Sequence, residues 1–168
     1  MISTKNLDAL IKQFIQKDRQ NIVADLKNYD NIHSAATAVG KNGRKHDHQR
    51  RIRPTDLEDF AKRIDQVAQR FEQAKSFNEI YAIVNECRIY KIGPLAIYDT
   101  AVRIGRLYNI EPQEVYLQQG AKWGAQALGI TKNRVSMQEL IATNKNFSQL
   151  SPHEIESFLC IYHKDLRG

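Results

Sequence analysis

The chain has 168 residues, 42% of them hydrophobic and 26% charged, with a net charge of +6 at neutral pH. That length buries a sizeable core without disulfide or metal staples, and the balance of apolar and charged residues excludes a disordered protein. No apolar run approaches the roughly 20 residues of a membrane-spanning helix, and Met1 to Asn6 lack the apolar core of a secretory signal. A cytoplasmic protein with no membrane partner is therefore expected, with Cys87 and Cys160 as buried free thiols in a reducing compartment.

Leu7, Leu10, Ile11, Phe14 and Ile15 recur at helical spacing, and Ile22, Val23 and Leu26 continue the stripe. This predicts one long helix or two short ones. Tyr29 to Asn31 reads as a polar stop, and His33 to Val39 as a brief helix. From Gly40 to Pro54 the chain turns polar, with two glycines and eight Lys, Arg or His residues, and a loop is expected. Thr55 with Glu58 forms the first of four capping-box patterns. The others are Ser76 with Glu79, Ser136 with Glu139 and Ser151 with Glu154.

Between the first two boxes, Leu57, Phe60, Ile64, Val67, Ala68 and Phe71 mark one apolar face. Ile80, Ile83, Val84 and Cys87 follow the second box, and Pro94 opens a further helix reaching Leu107. Glu111-Pro112 is expected to begin a helix carrying Val115, Leu117, Trp123, Ala127 and Leu128, stopped by Gly129. No alternating strand pattern or internal repeat is visible. The expected fold is all-α, a compact array of roughly seven to nine helices in a single domain over residues 1–168.

The excess charge is concentrated. Lys41, Arg44, Lys45, Arg50, Arg51 and Arg53 face one acid, Asp47, within thirteen residues. Such a cluster suits a polyanion, nucleic acid above all. His48, Arg50 and Arg51 would also suit a phosphate pocket, because arginine forks match phosphate oxygens. A solvated loop is the alternative. His46 and His48 would need His33, Asp47, or Cys160 and His163 to complete a metal site, and the neighbouring cations oppose a divalent ion. Neither a metal nor a cofactor is expected.

The stretch Ile89-Tyr90-Lys91-Ile92-Gly93-Pro94-Leu95-Ala96 joins two apolar helical segments. Proline fits a first helical position, and the open amides of a helix start favour phosphate. On Ile89, Ile92, Gly93, Pro94, Ala96 and Ala101 this stretch resembles the turn of the helix-hairpin-helix superfamily, which includes base-excision DNA glycosylases. The resemblance implies a grip on the backbone of double-stranded DNA through Tyr90, Lys91, Ile92, Gly93 and Pro94. Lys91 stands where the family has its first loop glycine, and Ile97 where it has a small residue.

The resemblance also implies an essential aspartate near the start of the next helix, but Glu111-Pro112-Gln113-Glu114 stands there. Leu95 takes the place of the lysine of the bifunctional members. The catalytic candidates are therefore Glu111, Glu114 and Asp99, the last expected to pair with Arg103 one turn on. Tyr98, Tyr108, Tyr116 and Trp123 read as core aromatics, with Tyr90 as the loop exception. Three readings follow: a DNA-backbone binder without glycosylase chemistry, a protein-interaction module, or an active glycosylase using Glu111 or Glu114.

Overall fold

The computed structural model describes residues 2–168 and is mostly helical, with one small strand pair. The first helices are α1 (Thr4–Lys17), α2 (Arg19–Leu26), α3 (Ile32–Thr37) and α4 (Pro54–Gln66). Next come α5 (Ala68–Gln73), α6 (Phe77–Glu86) and α7 (Pro94–Leu107). Strand β1 (Glu114–Tyr116), α8 (Gln119–Ala127), strand β2 (Arg134–Ser136) and α9 (Met137–Thr143) follow. The chain ends in α10 (Pro152–Ile161) and α11 (His163–Arg167). The all-α reading holds.

The backbone forms two compact units. One combines the described part of Met1–Val23 with Gln113–Gly168, and the other is Ala24–Pro112. The first has a core of Leu7, Ile11, Phe14, Val115, Leu140, Phe147, Ile155, Phe158 and Leu159. Its α8 lies close on α10: a Cβ on Gly124 would collide with the Leu159 carbonyl oxygen. Phe158 packs edge-on against Phe14 and Phe147, an arrangement aromatic rings favour.

In the unit Ala24–Pro112, α3 packs on α4 and α7, and α6 on α7. Phe60, Ile64, Phe71, Ile80, Val84, Ile97, Tyr98 and Ile104 are fully enclosed. Helix α7 is buried along nearly its whole length from Ala96 to Gly105, polar residues included.

Local signals set most helix ends. Ser136 with Glu139 and Ser151 with Glu154 form reciprocal capping boxes. Ser76 receives the Glu79 amide, but the Glu79 carboxylate turns to the amide of Lys75 instead. The Thr55 box does not form. Pro54 occupies the first helical position, so Arg53 becomes the cap residue and Thr55 lies inside the turn.

The helix expected from Glu111 is also corrected. Glu114 to Tyr116 is extended and pairs antiparallel with Arg134 to Ser136, Val115 opposite Val135. A β-branched and an aromatic residue, both buried, suit a short strand there, and the helix begins only at Gln119. Tyr29, expected in a polar stop, is 1% exposed and packed under the Arg103 guanidinium.

Candidate functional site

Between α6 and α7 the chain makes a tight exposed turn. Ile92 is buried and anchors it; its amide donates to the Ile89 carbonyl at 3.1 Å, and Arg88 Nε donates to the Ile92 carbonyl at 2.9 Å. Tyr90 is 86% exposed, with the Lys91 ammonium 4.9 Å from its ring centroid. Lys91 has φ +82°, in the left-handed region that side chains disfavour and glycine accepts. Gly93 has φ −86° and ψ 176°, extended backbone open to any residue, and a Cβ there would meet nothing within 4 Å. Pro94 then starts α7, whose first-turn amides have no partner within the helix.

The basic segment folds against α7 of the same unit through a 3-10 turn, Asp47–Gln49. Gln49 is 1% exposed. Its Nε2 donates to Asp99 Oδ2 at 2.8 Å, and its Oε1 accepts from Arg103 Nη2 at 2.8 Å. His48 Nδ1 lies 2.9 Å from the same Asp99 oxygen. Arg103 also reaches the Ala35 carbonyl at 3.3 Å and stacks over the Tyr29 ring at 4.6 Å. The expected Asp99–Arg103 pair is thus a four-residue network with Gln49 between the two charges.

Burial pushes the Asp99 carboxyl up, but the His48 hydrogen bond and the Arg103 charge outweigh it and hold the group at about 2. An ionised carboxylate only accepts, so His48 Nδ1 carries the hydrogen. That bond raises the His48 pKa above its ordinary value, against the opposing effect of burial.

His46 lies beside this network, its ring centroid 4.6 Å from that of His48. Its Nδ1 accepts the His48 backbone amide at 3.1 Å, so its Nε2 donates to Asp25 Oδ2 at 3.2 Å. Burial raises the Asp25 carboxyl, but the His46 hydrogen bond and the His46 and Arg103 charges bring it below its ordinary value.

The remaining basic residues divide. Lys41, Arg44, Arg50 and Arg51 are exposed. Lys45 Nζ is drawn to the Ile52 carbonyl at 2.7 Å, and Arg53 holds Asp56 with two bonds of 2.8 and 2.9 Å. The Arg53 bond lowers the Asp56 pKa, and the Lys91 charge adds to the effect.

Other sequence candidates are not members of this network. Glu111 is exposed and belongs to the unit Ala24–Pro112, whereas Glu114 is in β1 of the other unit, 3.5 Å from Arg134 Nη1. The partners expected for the His46–His48 pair are engaged elsewhere: His33 with Asp65 and Glu58, and His163 with the Cys160 carbonyl. Asp99 and Asp25 take that place. Tyr98 and Tyr116 are core residues, but Trp123 is 49% exposed and lies against His163 and Arg167.

Sequence reasoning missed Gln49 and Asp25. A lone glutamine among cations and an aspartate on a short helix carry no local sign of a shared site. Comparison of the chain with protein-family models, with curated proteins and with solved structures finds no match.

Proposed function

We propose that the unit Ala24–Pro112 binds the phosphate backbone of nucleic acid, double-stranded DNA first, at the α6–α7 turn. The observation that carries this reading is the open surface at Gly93. A glycine with ordinary φ and empty space around its α-carbon has no steric need to be glycine within the chain. A phosphate approaching the backbone would supply one. The positive end of α7 and the exposed Lys91 favour an anion at the same place. Exposed Lys41, Arg44, Arg50 and Arg51 add phosphate contacts that position the protein and read little sequence. Glycosylase chemistry is not part of the proposal, because Glu111 and Glu114 stand where the superfamily carries its aspartate.

Fluorescence anisotropy on a labelled duplex tests the reading. Affinity should fall steeply with salt, and Gly93→Val should weaken it about tenfold while leaving the thermal transition in place, since a Cβ there meets nothing within 4 Å. Absence of duplex binding at low salt, or equal binding by Gly93→Val, would remove the proposal and leave the turn as a helix junction in an interaction module.

A further inference from the structure

The segment that carries the positive charge also gathers metal-ligand chemistry. His46, His48 and Asp99 each offer one donor atom, and all three atoms lie within 4.8 Å of one another. Donors around a tetrahedral ion with bonds of about 2.0–2.2 Å stand roughly 3.3–3.6 Å apart, so a modest closure brings these onto one ion.

The surroundings fit as well. Ligand histidines and carboxylates are held by hydrogen-bonding neighbours. Here Asp25 accepts from the His46 ring, and Gln49 donates to Asp99. The Asp99 carboxylate is fixed in the buried wall by α7, and the His48 side chain is 40% exposed, which gives an ion a route in.

Two carboxylates, Asp25 and Asp99, face the two imidazoles, and the Arg103 guanidinium is bonded to the Ala35 carbonyl and Gln49 and stacked on the Tyr29 ring. Two carboxylates beside two imidazoles suit a dication. An ion held by His46 Nδ1, His48 and Asp99 would replace the His48 amide on His46 Nδ1 and the proton between His48 Nδ1 and Asp99, with the loss of two hydrogen bonds.

We propose that His46, His48 and Asp99 bind one first-row divalent transition metal, Zn2+ foremost, with Asp25 orienting His46 and a coordination position left to solvent. Two imidazoles and a carboxylate favour such ions over Mg2+, which prefers an all-oxygen shell. The inference does not depend on the nucleic-acid reading.

Equilibrium dialysis of the full chain against Zn2+ should give one bound ion per chain, and Co2+ should give a visible absorption band of low-coordinate nitrogen and oxygen ligation. His46→Gln and His48→Gln should each weaken Zn2+ at least tenfold, and Asp25→Asn about tenfold. His33→Gln, whose ring sits with Asp65 and Glu58, should bind as the unchanged chain does. Circular dichroism identifies any variant that fails to fold, and the partly exposed His46 provides the decisive one. No Zn2+ uptake at micromolar concentration overturns the proposal. So does uptake that survives His46→Gln or disappears in Cys87→Ser or Cys160→Ser.

Discussion

Lys91 holds a left-handed backbone with a side chain that resists it, at a cost of about 1 kcal/mol. Lys91→Gly should therefore raise stability by about that amount in urea unfolding while weakening duplex binding through the lost charge. If both quantities fall together, the turn is held by the lysine and not strained by it. His33 gives a second prediction. The Asp65 hydrogen bond, aided by Glu58, raises its pKa above 6.5 in the folded chain. A raised folded pKa contributes stability that is complete below 6.5 and fades as pH climbs through the folded value. The stability gap between the unchanged chain and His33→Gln, measured by urea titration, should be present at pH 5.5 and narrowed at pH 8.5. The ring is 42% exposed, so the gap is small.

At the scale of elements, the legible signals were those acting within a few residues. The Ser136 and Ser151 boxes close as their spacing implies, since each bond joins groups one helical turn apart. Pro54 overrode the Thr55 pattern by fixing the start two residues earlier. The stretch from Glu111 to Leu117 misled because its apolar spacing suits a helix, whereas its strand is completed by Arg134 to Ser136, far along the chain. Helix approach was equally hidden. Gly124 sits where α8 nearly touches the α10 backbone, so Gly124→Ala should destabilise the protein by about 1–3 kcal/mol in urea unfolding. A neutral result would mean that α8 shifts freely on α10.

For the molecule as a whole, composition, apolar periodicity and capping residues determined a mostly helical chain in which, among the described residues, no helix is long and apolar enough to cross a membrane. They also located the exposed turn and the basic segment, because both depend on residues adjacent in sequence. Tertiary structure alone decided that residues 113–168 join the described part of Met1–Val23 in one unit while Ala24–Pro112 form another. It alone placed Gln49 and His48 on Asp99 some fifty positions away, and Asp25 on His46. Periodicity identifies a buried face but not its partner. Which polar groups meet inside is set by how α7 is enclosed, where every buried charge must find its hydrogen bonds.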